Sequence, residues 1–392
     1  MSDAKASIKT RLAHVGNRPL ENHGVINPPV YRASTIVSPS LEHYEAAEKT
    51  PFEGTRYGRR GTPTTFALEE AVAELEGGYR SIALSSGLAA ITLTMMAFLK
   101  TGDHLLMADT AYYPTRRFCD TVLAGLGIDT TYYDPLADIT PLLRSNTRLV
   151  FLESPGSLTF EVQDVPAAVV AARTVGAVTA IDNTWSAGLY FRPLDHGVDV
   201  SIQAATKYIV GHSDVMMGLI TATEDSYLRV RRATAFFGTG VGPDDCYLAL
   251  RGLRTLGVRL ARHQETALTV ARWLASRPEV AHVRHPALPS CPGHTFWRRD
   301  FTGSNGLVSI VLNDVPKRAV AAMVDGFRLF ALGASWGGYE SLVVPFDAPP
   351  VRTATTWPYT GPCLRFHCGL EDADDLISDL ADGFERLNRA AM

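Results

Sequence analysis

Residues 81–108 read SIALSSGLAAITLTMMAFLKTGDHLLMA, and their pattern decides the fold class. Residues 81–84 form a short apolar run of strand type. Residues 88–99 are apolar almost throughout and long enough for a helix. Residues 104–108 return to a strand-like run. Strand, helix and strand in succession imply a crossover between parallel strands, and such crossovers are right-handed. The alternation continues outward. Upstream, residues 66–76 set Phe66, Leu68, Val72 and Leu75 on one helical face. Downstream, the pattern predicts helices over 114–126 and 165–174, and strands at 130–133, 149–152, 178–181 and 200–204. The expected fold is α/β, with a mostly parallel central sheet flanked by helices.

The chain has 392 residues, more than one hydrophobic core usually serves. A long helix at 255–275 and strands at 307–312 and 364–367 predict a smaller α+β domain over 254–392, after a ligand-binding domain over 62–253. Residues 1–61 read differently. Asn27-Pro28-Pro29, Ser38-Pro39 and the glycines from Gly54 to Gly61 break any regular period. Val25, Ile26, Val30, Tyr31, Ile36 and Val37 are too apolar to stay comfortably in water. An arm lying on a neighbouring subunit fits them; a floppy terminus is the alternative. Net charge is −4, which gives no electrostatic grip on nucleic acid or an acidic membrane face. No signal-like or membrane-length apolar run occurs, so the expected location is cytoplasmic. Cys119, Cys246, Cys291, Cys363 and Cys368 are scattered and odd in number, unlike a disulfide framework.

Three places carry chemistry. Ser85-Ser86-Gly87-Leu88-Ala89-Ala90 lies between a strand and a helix, where free N–H groups and the helix dipole suit a phosphate. Tight packing of small residues explains it equally well. Asp182 ends an apolar strand, at the sheet edge where open α/β folds bind ligands. It needs a positive partner there, such as a protonated pyridine nitrogen, unless it serves as a helix cap. Lys207 follows a nearly uncharged strand, and burial would free its nucleophilic amine. A loop lysine at the surface is its bland reading. Together the three match what pyridoxal phosphate (PLP) requires: an anchor for its phosphate, a partner for its ring nitrogen and a lysine.

The chain resembles the Cys/Met-metabolism PLP enzymes, the trans-sulfuration family, over nearly its whole length. The resemblance rests on Tyr57-Gly-Arg59-Arg-Gly-Thr-Pro-Thr, Thr110-Ala-Tyr112, Phe151-Leu-Glu-Ser-Pro-Gly156, Ile181-Asp182-Asn-Thr, Ala205-Thr-Lys207-Tyr-Ile-Val-Gly-His212 and Ser335-Trp336-Gly-Gly-Tyr-Glu-Ser-Leu342. It implies the PLP-dependent transferase fold type I, as in aspartate aminotransferase. It implies Lys207 as the Schiff-base lysine, Asp182 at the pyridinium nitrogen and Tyr112 stacked on the ring. The N–H groups of Gly87 and Leu88 and the Thr206 hydroxyl would hold the phosphate, joined by Tyr57 and Arg59 of a neighbouring subunit in a homotetramer. Arg365 would grip the substrate carboxylate, with Trp336 shaping the pocket and the backbone near Ser335 orienting lysine or substrate.

Two departures bear on the reaction. Ala204 stands where many relatives have Ser, and Ser154-Pro155-Gly156-Ser157-Leu158 replaces a Ser-Pro-x-Asn-Pro common among γ-specific relatives. With Trp336, the second leans toward β chemistry: cleavage of L-cystathionine to homocysteine, pyruvate and ammonia. A γ-lyase, γ-synthase or broad cysteine-S-conjugate lyase is the alternative, and a regulatory role without catalysis is a further one. His285, Cys291, His294, His367 and Cys368 suggest a metal only loosely; no compact ligand motif joins them, and none is expected.

Overall fold

The structure, a computed structural model, describes residues 6–348 and 352–392. Two helices precede residue 62, α1 (Ile8–His14) and α2 (Leu41–Glu48). The first domain then runs α3 (Pro63–Glu76), β1 (Arg80–Leu84), α4 (Gly87–Phe98), β2 (His104–Ala108), α5 (Tyr113–Phe118), β3 (Asp129–Tyr133), β4 (Thr147–Glu153), α6 (Val165–Arg173), β5 (Val178–Asp182), β6 (Val200–Gln203), β7 (Gly218–Ala222) and α7 (Glu224–Phe236). The remainder is α8 (Pro243–Ala275), β8 (Val280–Arg284), α9 (His294–Asp300), β9 (Leu307–Leu312), α10 (Lys317–Val324), β10 (Ala331–Leu332), β11 (Leu342–Phe346), β12 (Cys363–His367) and α11 (Ala373–Ala391).

The first domain holds a seven-stranded sheet in the order β1-β7-β6-β5-β4-β2-β3. Only β7 runs against the others. Both faces are dry. On β2, Leu105 and Met107 join one core while Leu106 and Ala108 join another; Leu149 and Phe151 of β4 split from Val150 and Leu152 in the same way. Side chains alternate across a strand, so a sheet covered on both faces needs an unbroken apolar run, which is the pattern the sequence carries. The helix expected over 114–126 is α5 continued by a wider π-helical turn, Cys119–Leu123. The second sheet, β10-β11-β12-β9-β8, is antiparallel apart from β10 with β11. The boundary expected after residue 253 falls inside α8, which packs on α3 in one domain and α11 in the other.

One buried carboxylate ties the C-terminal part to the end of β2. Asp109 accepts the N–H groups of Thr353 (3.0 Å), Ala354 (3.1 Å) and Thr355 (2.9 Å), both threonine hydroxyls, and Nη1 of Arg116 at 2.8 Å. Burial pushes its pKa up, but the Thr353 and Thr355 donors and Arg116 more than offset this, and it lies below its ordinary value. Its contribution is complete above the unfolded value of about 3.9 and fades as pH falls toward the lowered folded value. Nearby, Arg352 pairs with buried Glu161 at 2.9 Å.

Asp109→Ala would strand the Arg116 charge and the three N–H groups. The expected loss is about 3–5 kcal/mol, read from urea unfolding; a loss under about 1 kcal/mol would mean that Asp109 is not the tie.

Candidate active site

The carboxyl ends of β1, β2, β4, β5 and β6 converge on one crevice. Asp182 is the last residue of β5. Its Oδ1 accepts the Thr184 N–H at 3.0 Å and the Thr184 hydroxyl at 2.5 Å. This caps the short turn Thr184–Ser186 and leaves Oδ2 without a hydrogen-bond donor among the described residues. The cap and the cofactor partner are therefore compatible roles for one carboxyl. Thr184 Oγ1 also accepts the Ala204 N–H at 2.8 Å, which ties Asp182 to the turn that carries Lys207. Burial raises the Asp182 pKa; Thr184 and then Lys207 restrain the rise.

Lys207 directs its amine to Ser335 Oγ at 2.7 Å and lies 5.6 Å from the Trp336 ring centre. Burial, and then the neighbouring Arg365 charge, bring its pKa down to about 8, against the pull of Asp182. The register of β4 on β5 sets Glu153 beside Asp182. Glu153 accepts the Tyr112 N–H at 2.7 Å, so it fixes the backbone from which the half-exposed Tyr112 ring projects. Burial, reinforced by Asp182, pushes the Glu153 pKa well up. Glu153 belongs to a motif quoted above for the family, yet the sequence suggested no role for it.

At the head of α4, the Ala89 N–H goes to Ser86 Oγ and the Ala90 N–H to Ser86 O. The N–H groups of Gly87 and Leu88 remain without acceptors among the described residues. A Cβ on Gly87 would lie 2.5 Å from the Cβ of Ala204, so only glycine lets this turn approach β6. Thr206 stands nearby, but its Oγ1 is already engaged with Met217, accepting its N–H (2.9 Å) and donating to its carbonyl (3.2 Å). Its hydroxyl would have to rotate to serve a phosphate.

From the second sheet comes Arg365, buried on β12. Its Nη2 donates to the carbonyls of Ser335 (2.8 Å) and Ala334 (3.3 Å), while Nε is buried with no partner. Burial lowers its pKa to about 10, which leaves it cationic at neutral pH. Ser335 thus acts through its side chain on Lys207 and through its backbone on Arg365, whereas the sequence pointed to the backbone alone. Tyr57 and Arg59 are not gathered here. Tyr57 is half exposed and bridges to Thr35, and Arg59 donates to the Ala235 carbonyl at 3.2 Å. Among the described residues no three potential ligands stand close enough to hold a metal. Cys291 Sγ is turned to the Phe160 carbonyl and His294 Nδ1 to that of Pro286.

The donor set fits PLP: Asp182 has a vacant oxygen for a pyridinium, the turn has two free N–H groups for a phosphate, and the amine is partly desolvated. Such a crevice between a parallel sheet and a smaller domain defines a PLP-dependent enzyme of fold type I. The chain belongs to the Cys/Met metabolism PLP-dependent enzyme family, which it matches over residues 9–385. It is 49% identical over 385 residues to a putative cystathionine beta-lyase of Rhizobium johnstonii, covering 97% of this chain and 96% of that one. It is 47% identical over 396 residues to the cystathionine beta-lyase of Escherichia coli strain K12, covering 99% and 100%. A solved cystathionine gamma synthase of Xanthomonas oryzae, in complex with cystathionine, superposes with a TM-score of 0.90 at 31% identity, covering 99% of this chain and 100% of that one.

Only the neutral amine attacks an aldehyde, so reaction of cofactor-free protein with an aldehyde at Lys207 should speed up with rising pH. The midpoint should lie near pH 8, and the same rate in Lys207→Ala supplies the background. A midpoint near that of free lysine, about 10.4, would contradict the described environment.

Proposed function

We propose that this chain binds PLP and cleaves the Cβ–S bond of L-cystathionine, giving homocysteine, pyruvate and ammonia. The observation that carries this reading is the buried Lys207 amine lying within charge range of both Asp182 and the half-satisfied Arg365 guanidinium. When bound, the cofactor supplies an electron sink for the carbanion left at Cα.

The chain's own groups do the rest. Lys207 would hold the aldehyde carbon, and the Gly87 and Leu88 N–H groups the phosphate. Asp182 Oδ2 would keep a proton on the ring nitrogen. Tyr112 would lie against the ring, with its backbone fixed by Glu153. Arg365 would take the substrate carboxylate on its Nε edge, a planar fork suited to that task. Once the substrate's amino group has replaced it on the aldehyde carbon, the freed Lys207 amine, with its lowered pKa, would draw the Cα proton and pass a proton to the departing sulfur. Trp336 would wall the pocket. Tyr57 and Arg59 would complete the phosphate site of a second copy, in a cytoplasmic tetramer of paired dimers. The exposed Leu20, Val25, Ile26 and Val37 on the arm support that assembly.

The likeness to a γ-synthase structure supports one competing reading, γ chemistry on the same frame. The keto acid released from L-cystathionine by the PLP-loaded protein separates the two. Pyruvate is expected, and 2-oxobutyrate would move the chain to γ-cleavage. Arg365→Leu should raise KM about 100-fold while the bound cofactor's absorbance persists, and an unchanged KM would remove Arg365 from carboxylate binding.

A further inference from the structure

The loop of residues 333–341 joins β10 to β11 and carries Ser335 and Trp336. It lies directly on the lysine's backbone. Gly337 has φ +88°, and a Cβ there would stand 2.8 Å from the Lys207 carbonyl carbon and 2.9 Å from its Cα. Ser335 meets the Lys207 amine and Arg365, and Trp336 packs on Tyr208 with ring centres 5.3 Å apart. A shift in this loop therefore moves three parts of the site at once.

The far end of the loop is held by Glu371, which accepts the Ser341 N–H (2.8 Å) and hydroxyl (2.9 Å). The middle, next to Ser335 and Trp336, is held by His367, a fully buried residue with no part in the proposed reaction. Its Nε2 lies 3.1 Å from the Gly337 amide nitrogen and 3.1 Å from the Gly338 carbonyl oxygen. A neutral ring makes one of these bonds at a time: it accepts from Gly337 or donates to Gly338, according to its tautomer. Either bond fastens the Gly337–Gly338 segment at one point. The ring is itself wedged against Tyr208 and His263, at 6.0 Å and 5.1 Å between centres. His263 is fixed in turn by Nδ1 on the Cys368 carbonyl at 2.8 Å. Arg365 and His367 are two residues apart on β12 and share a face. One strand thus presents the guanidinium and the anchor of the loop whose carbonyls orient it.

We infer that His367 is a positioning residue for catalysis, holding Gly337 and Gly338 so that Ser335, Trp336 and Arg365 meet Lys207 and the substrate. This rests on the lyase reading above. Gln places an amide close to the Nε2 position and can accept or donate there; Asn is one carbon too short; Leu fills space without a polar atom.

The test uses the PLP-loaded protein and compares His367→Gln, His367→Asn and His367→Leu in kcat and KM for L-cystathionine, cofactor absorbance and melting temperature. The Asn and Leu variants should lose about 30- to 100-fold in kcat/KM with KM raised and the cofactor band retained, as expected for a site displaced by about an ångström. The Gln variant should stay within about 3-fold of wild type. Asn and Leu variants that melt lower yet keep wild-type kinetics would overturn the inference, as would a Gln variant as poor as Asn. If Leu does not fold, the Asn–Gln pair still decides. If wild-type protein releases no keto acid, the lyase reading fails, and glycine titration of the cofactor band decides His367 separately. The glycine Kd should then rise about 30-fold in Asn and not in Gln, and equal values would overturn the inference.

Discussion

The site depends on holding two cationic side chains, Lys207 and Arg365, in one poorly hydrated crevice. Burial disfavours the charge on each, and the Arg365 charge further disfavours that on Lys207. Arginine tolerates this because its ordinary pKa is above 12, whereas lysine gives way and supplies a neutral amine near physiological pH. Asp182 limits the effect. Without it the amine would fall further and lose strength as a base; without Arg365 it would titrate higher, although burial, the larger cause, would still hold it below its ordinary value. The two cations arrive from different domains, so the amine's chemistry is set by how the C-terminal part is seated.

Seating uses buried polar groups as well as the apolar contact of Phe301 and Leu307 with the first domain's core. Asp109 collects the backbone of residues 353–355, and His367 collects that of 337–338. Beneath the sheet, Glu76 of α3 accepts from Ser201 Oγ (2.8 Å), Asn183 Nδ2 (3.2 Å) and Gln203 Nε2. Asn183 follows Asp182, and Gln203 lies four residues before Lys207, so one carboxyl braces both strand ends. Burial raises the Glu76 pKa to about 7 despite these donors. A carboxyl raised in the folded state stabilises the fold below its unfolded pKa, and that advantage is lost as pH climbs through the folded value.

The frame was legible because a doubly covered parallel sheet writes its strands as apolar runs. The strands ending near 84, 108, 182 and 203 could be found that way, and with them Gly87, Asp182 and Lys207, each within a few residues of a strand end; Tyr112 came from the family resemblance. The rest had no such signal. β7 pairs with β1 from well over a hundred residues away, an antiparallel partner that no local period announces. β10 has only two residues, and β11 contains Pro345. Glu76, Asp109, Glu153 and His367 were unreadable as functional groups for a related reason. Their partners are remote in sequence, up to 246 residues away for Asp109, and a buried polar residue carries no mark of what satisfies it.

The sheet and its lysine cannot decide which carbon–sulfur bond breaks, since a γ-synthase superposes on the whole chain. Both reactions begin with loss of the Cα proton, which needs the same amine, the same acid at the ring nitrogen and the same carboxylate grip. They diverge afterward, in where a second proton is taken and how far the leaving sulfur lies from Lys207. Those distances are set by walls, and the wall nearest the amine is the loop carrying Trp336. Its backbone is pinned on one side by the contact of Gly337 with Lys207 and on the other by His367. The Trp336 indole stands 5.6 Å from the Lys207 amine, within reach of a substrate held there. Since the reacting groups are common to both reactions, a restriction to Cβ has to come from the walls, and the loop that carries Trp336, fastened at Gly337 and Gly338, is one of them.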